Sequence, residues 1–146
     1  MELHFARMQT SDLPFFLEVR NLVRSQLHDS REFSLSEAES WFAVTPNEYW
    51  LILCKEIPVG YFRISKENLN SWQIGADIHP NFQRKGIATK AYHEFIDEII
   101  RSDSNPPMRL ELRVLKTNPI AIQLYKNLGF TAVDDSENDI TMLLLI

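Results

Sequence analysis

Cysteine occurs once in these 146 residues, at Cys54, so no disulfide can close within the chain. A chain of this kind suits a reducing compartment, and a cytoplasmic location is expected. Metal chemistry lacks its usual spacing. His4, His28, His79 and His93 are scattered and Cys54 stands alone, so no metal site is expected. Long apolar runs are missing too. No stretch reaches the roughly 18 continuous apolar residues of a membrane span, and the opening MELHFARMQT carries no signal-like core. Neither a signal peptide nor a membrane partner is expected. A basic excess is absent. Lys plus Arg is 15 and Asp plus Glu is 20, which gives 15 − 20 = −5. That balance argues against bulk nucleic-acid binding and is compatible with a cationic substrate. Repeats and linker-like segments are also lacking, so residues 1–146 are expected to form one domain. Finally, the two commonest glycine-rich phosphate loops, G-x-x-x-x-G-K-[ST] and G-x-G-x-x-G, do not occur.

What is present centres on Trp72 to Ile99. Trp72, Ile74, Ala76 and Ile78 alternate with Gln73, Gly75 and Asp77, the two-residue period of a strand. Pro80 cannot donate to a sheet ladder and should stop it. Ala88, Ala91, Tyr92, Phe95, Ile96 and Ile99 then repeat at the helical period. Between the two lies Gln83-Arg84-Lys85-Gly86-Ile87-Ala88. A strand feeding a helix leaves several N–H groups unpaired and aimed at one point, and the helix dipole adds about half a positive charge there. Gly86 lets a ligand approach the backbone, and Arg84 and Lys85 add positive charge in an acidic chain. A phosphate or pyrophosphate is the expected guest. An ordinary strand–helix connection with a solvated basic pair is the plainer alternative.

The order Gln-x-x-Gly-x-Ala resembles the acetyl-CoA loop of the GNAT superfamily of N-acetyltransferases, (Gln/Arg)-x-x-Gly-x-(Gly/Ala). A second block, Asn118-Pro119-Ile120-Ala121-Ile122-Gln123-Leu124-Tyr125-Lys126-Asn127-Leu128-Gly129-Phe130, is similar to the superfamily's Asn-x-x-Ala-x-x-x-Tyr-x-x-x-Gly-Phe segment. The resemblance implies acetyl-CoA as co-substrate. It places Ile78, His79, Gln83, Arg84, Lys85, Gly86, Ile87, Ala88, Thr89, Asn118 and Tyr125 against the cofactor. It also implies an α/β (α+β) fold with a mixed, mostly antiparallel sheet of six to seven strands and four helices. In such folds the strands flanking the cofactor helix splay apart.

The rest of the chain supplies the remaining elements in the order β-α-α-β-β-β-α-β-α-β-β. A strand is expected over residues 2–8. A helix capped at Ser11 or Asp12, with Pro14 in its first turn, should run to about Leu27 and bury Phe16, Val19, Leu22 or Val23, and Leu27. Ser34-x-x-Glu37 is a capping box for a second helix to about Val44. Tyr49–Lys55 and Val59–Ser65 read as a hairpin turning at Glu56-Ile57-Pro58. Arg109–Leu115 alternates as a strand, Asn118 caps a short helix, and Phe130–Val133 and Thr141–Ile146 close the sheet around an acidic turn over 134–139.

Acetyl transfer needs an acid for the departing thiolate and a base for the amine. By resemblance Tyr125 is the general acid. A phenol, with a pKa of about 10, can supply that proton. The base is open. Superfamily members carry a glutamate where Arg113 stands here, or near Trp72. Glu111, on the same face as Arg113, is one candidate. Asp77 is another, and a water chain a third. Arg113 is expected to pair with Glu111 or to meet an anionic acceptor. Arg20, Arg24, Phe33 and Trp41 are expected near the acceptor cleft, against the alternative that the aromatics are core and the arginines solvated. The acceptor is expected to be a small-molecule amine, such as an amino sugar, an amino acid or a polyamine-like compound. A protein N-terminus or lysine is the alternative, and a non-catalytic CoA-binding sensor or subunit the alternative of another class. The chain is expected to act as a monomer or homodimer.

Overall fold

Two periods in the sequence, two residues for strands and 3.6 for helices, produce the observed elements almost in the expected places. The computed structural model describes residues 1–83 and 85–146; Arg84 lies outside the described residues. Its elements are β1 (Leu3–Arg7), α1 (Leu13–Leu22), α2 (Leu35–Phe42), β2 (Glu48–Cys54), β3 (Ile57–Ser65), β4 (Ser71–Ile78), α3 (Ile87–Phe95), β5 (Arg109–Leu115), α4 (Pro119–Asn127), β6 (Thr131–Asp135) and β7 (Asp139–Leu145). The strands form one seven-stranded sheet in the order β1-β2-β3-β4-β5-β7-β6. The β1–β2, β2–β3, β5–β7 and β6–β7 pairs are antiparallel, and β4–β5 is parallel. The chain divides into two compact units, residues 1–64 with 75–88 and residues 65–74 with 89–146.

In the first unit, α1 and α2 lie on an aromatic-rich core. Leu13, Phe16, Val19, Ala38, Tyr49 and Tyr61 are buried there, and Phe33 and Trp41 pack against them. Ser34 caps α2 as its spacing requires: its Oγ accepts from the Glu37 N–H at 3.2 Å, and Glu37 Oε1 accepts from the Ser34 N–H at 3.0 Å. The first helix is shorter than expected. It ends at Leu22, a 3-10 turn follows over Arg24–Gln26, and Leu27 is extended. Val23 is therefore the buried residue at that end, while Leu22 is 55% exposed.

The β2–β3 turn is also tighter than the sequence suggests. Lys55 and Glu56 form it, at φ 51° and 68°, so Ile57 and Pro58 belong to β3 instead of the turn. A bulge between Ile52 and Leu53 absorbs the offset. Further along β3, Gly60 is required for space. A Cβ there would lie 2.4 Å from the carbonyl oxygen of Asp77.

In the second unit β5 buries Leu110, Leu112 and Val114 and turns Arg109, Glu111 and Arg113 the other way, the expected alternation. It pairs with β4 over Ser71–Gln73 and Arg109–Glu111. The helix after the loop does not stay α-helical. Ile96–Ile100 is a π turn, with the Arg101 N–H reaching the Ile96 carbonyl at 2.9 Å. The extra residue rotates the buried stripe by one position, so Ile100 is buried where the 3.6-residue period points to Ile99. β7 starts at Asp139, two residues earlier than expected, and sits between β5 and β6. Among the described residues, no helix is long and apolar enough to cross a membrane, and no group of three or more His, Cys, Asp or Glu could hold a metal ion.

Candidate active site

β4 leads into the loop through His79. The His79 N–H stays in the sheet, donating to the Val59 carbonyl at 2.8 Å. Its ring caps the turn that follows, with Nδ1 accepting from the Asn81 N–H at 3.1 Å. The imidazole proton is thereby fixed on Nε2, which lies 3.5 Å from Glu18 Oε2. His79 is thus a structural cap with its side chain and its own N–H both engaged. Gln83 folds back on the strand it follows: its Nε2 donates to the Ile78 carbonyl at 3.0 Å. That bond pins the loop against the strand end.

Gly86 has φ 76°, a left-handed conformation, and a Cβ placed on it would meet nothing within 4 Å. Backbone shape demands this glycine, and the space beside it is open. α3 starts at the next residue, Ile87, which is buried and anchors the first turn, while Lys85 and Thr89 are exposed. Lys85 Nζ lies 5.7 Å from the Phe82 ring centre. The first N–H groups of α3 have no acceptor within the helix. Open space, a left-handed glycine and a helix N-terminus together fit a phosphate group.

Just before this loop stands Asp77. The Tyr61 hydroxyl donates to its Oδ2 at 2.6 Å. Burial pushes the Asp77 carboxyl above its ordinary value, and the Tyr61 hydrogen bond and the charges of Arg63 and Arg20 pull against that rise. Burial pushes the Tyr61 phenol well up, with the Asp77 charge adding to it. Phe16, Trp41 and Tyr49 surround this end of the unit. Trp41 stacks on Phe16 with ring centres 5.2 Å apart and meets Tyr49 edge-on at 5.0 Å.

In the second unit Asn118 Oδ1 accepts from the Ala121 N–H at 3.2 Å, so its oxygen caps α4. Tyr125, half-buried on α4, is held between two rings. Tyr92 of α3 meets it edge-on at 5.7 Å and Phe130 at 5.9 Å, and the Tyr92 and Tyr125 hydroxyl oxygens are 3.5 Å apart. Glu111 Oε2 accepts from Gln73 Nε2 at 3.3 Å. Both line a groove of about 480 Å³ with Ser65, Glu67, Asn68, Ser71, Arg109 and Leu143.

A model of the Acetyltransferase (GNAT) family matches residues 16–130, a span that contains both the loop and the Asn118–Phe130 block. The chain belongs to this family. GNAT membership makes it an N-acetyltransferase with acetyl-CoA as co-substrate. No curated protein matches the sequence. Solved structures do. A domain from Methanocaldococcus jannaschii has a TM-score of 0.86 at 20% identity, covering 99% of each chain. Spermidine N-acetyltransferase from Vibrio cholerae, solved with CoA and spermine, has a TM-score of 0.81 at 19% identity, covering 98% of this chain and 95% of that one. A Streptococcus mutans protein has a TM-score of 0.78 at 19% identity, covering 97% and 98%. At these identities the likeness concerns the fold.

Several expected GNAT acceptor residues have other partners. Arg113 does not pair with Glu111. Its Nη2 binds Oδ2 of the buried Asp139 at 2.6 Å, because Asp139 falls inside β7 at the register opposite β5. Arg20 is buried, with its guanidinium donating to the carbonyls of Asp29 and Arg31 and stacked 4.4 Å from the Phe33 ring centre. It ties down the α1–α2 connection, as does Asn21, whose amide bonds both the N–H and the carbonyl of Phe33 at 3.1 Å. Arg24 is exposed, 3.6 Å from Glu32. Phe33 and Trp41 are half-buried, between the core and cleft alternatives. Arg84, expected against the cofactor, lies outside the described residues. Two residues to which the sequence assigns no role in the site, Tyr61 and Tyr92, carry hydrogen bonds to candidate catalytic groups. Their signal is long-range pairing, which no local spacing displays.

Proposed function

We propose that this chain transfers the acetyl group of acetyl-CoA directly to the primary amine of a small cationic molecule. The observation that carries the reading is the family match together with an intact Tyr125 and an open, left-handed Gly86 at the start of α3. The co-substrate supplies a thioester carbonyl for attack. The first-turn N–H groups of α3, beside Gly86, bind its pyrophosphate. The backbone around Ile78 lines its pantetheine arm and polarises the thioester carbonyl. Asp77 takes the proton from the attacking amine: a carboxyl raised by burial is a better base near neutrality than an exposed one. As the C–N bond forms and the C–S bond breaks, Tyr125 gives its proton to the departing sulfur. Glu111 and Glu67 line the groove within the second unit and give it negative charge. A polyamine-like acceptor suits that charge and the net −5 of the chain. It is also the class on which the Vibrio cholerae structural relative acts.

The test is thiol release from acetyl-CoA across a panel of polyamines, amino sugars, amino acids and a peptide with a free N-terminus. The expected result is turnover on small amines, with polyamines ahead, and a fall in kcat of about 100-fold or more in Tyr125→Phe. Faster turnover on the peptide would overturn the acceptor class. Acetyl-CoA binding without turnover on any amine would make the chain a CoA-binding module.

A further inference from the structure

We infer that Tyr92 is a positioning residue for the reaction: its hydroxyl donates to the Tyr125 oxygen and stabilises the phenolate that Tyr125 becomes. The inference rests on the reading of Tyr125 as the general acid. Its starting point is a mismatch in acidity. A phenol ionises near 10 and a thiol near 8.5, so handing the proton from tyrosine to a departing thiolate runs uphill by about 1.5 units, roughly 30-fold. A donor aimed at the phenolate oxygen offsets that gap.

Tyr92 is such a donor. It lies in α3 and is 1% exposed, with its oxygen 3.5 Å from that of Tyr125. A phenylalanine would fill the same volume and make the same edge-on contact at 5.7 Å. The hydroxyl is therefore not required by packing, and the Tyr125 oxygen lies within its reach. Donation from Tyr92 to Tyr125 is also the direction that leaves the Tyr125 proton available for the substrate. In the step, the Tyr125 O–H bond breaks and an S–H bond forms on the released thiol. Solvent then returns a proton to the Tyr125 oxygen, and Tyr92 keeps its own proton throughout. Phe130, edge-on to Tyr125 at 5.9 Å, fixes the ring from a second direction, so the phenol is held in one orientation while its charge changes.

The experiment compares wild type, Tyr92→Phe, Tyr125→Phe and the double variant, each checked for folding by its melt. It reads the pH profile of kcat, the KM for acetyl-CoA, and the titration of phenolate absorbance with no substrate present. Tyr92→Phe is expected to lower kcat about tenfold with KM unchanged. It is also expected to move the basic limb and one phenolate titration up by about one pH unit. Tyr125→Phe is expected to abolish that limb, and the double variant to be no slower than Tyr125→Phe. A limb and a titration at the same pH in Tyr92→Phe as in wild type would overturn the role of Tyr92 and leave Tyr125 as the acid. A limb that persists in Tyr125→Phe would overturn the general-acid reading itself.

Discussion

Asp77, the proposed base, also bears on stability. Burial raises its carboxyl, so the folded chain holds that proton more tightly than the unfolded chain does. Its favourable contribution is therefore complete below the ordinary carboxylate value, about 3.9 in an unfolded chain. It is lost as the pH climbs through the raised native value. Asp77→Asn should flatten this part of the stability profile: melts across the window above pH ~4 should fall less steeply with pH than in wild type. The Tyr61 hydrogen bond lowers the carboxyl, so Tyr61→Phe should push it further up. If Asp77 is the base, the acid limb of kcat/KM moves up in Tyr61→Phe and disappears in Asp77→Asn. An acid limb indifferent to both variants would return the role to Glu111 or to water. Little of this was legible in the sequence. Asp77 is visible as a carboxylate next to the loop, but Tyr61 is a strand residue 16 positions away, and only the β3–β4 approach at Gly60 brings the two together. The same holds for Tyr92 and Tyr125, 33 positions apart on different helices.

At the scale of elements, reading succeeds where the signal is local. The Ser34–Glu37 box, the alternation of β5 and the strand–loop–helix around Gly86 depend on neighbours within four residues, and all three form as expected. It fails where the backbone takes a conformation its residues do not advertise. The β2–β3 turn puts Lys55 and Glu56 at positive φ, where asparagine and glycine are the usual occupants, so the sequence pointed to the proline instead. A left-handed residue with a Cβ costs about 1–2 kcal/mol, and a glycine gives some of that back as unfolded-state entropy. Replacing Lys55-Glu56 by Asn-Gly should therefore stabilise the chain by about 1 kcal/mol, a rise of roughly 2–4 °C in melting temperature for a chain of this size. An unchanged or lower melt would show that the two side chains make compensating interactions in the turn. The π turn after Phe95 is hidden for a related reason. Ile99 and Ile100 are adjacent isoleucines, and which of them is buried depends on one slipped hydrogen bond.

For the whole molecule, topology and reaction class were legible because two separated motifs agreed with the element order, and the family match over residues 16–130 spans both motifs. Acceptor identity was not, since it depends on which side chains long-range packing leaves available, as the engagement of Arg20 and Arg113 shows. Net charge sets a physical condition on the cofactor. The chain carries −5 and acetyl-CoA is itself an anion, so the overall field opposes their encounter. On the proposed reading, binding comes from local features at the start of α3: its backbone N–H groups and the helix dipole. These act at short range and are poorly screened, whereas the opposing field is screened by salt. Acetyl-CoA at about 100 times its Kd should add roughly 2.7 kcal/mol to the unfolding free energy, a rise of about 5–10 °C. ATP and NAD should add far less, because they lack the pantetheine arm that the backbone around Ile78 would pair. Moderate salt should leave the acetyl-CoA shift in place or enlarge it. A shift that collapses at moderate salt would mean that exposed charge, not the backbone of the Gln83–Ala88 loop, holds the pyrophosphate. Equal shifts with ATP and NAD would remove the specific role of Ile78.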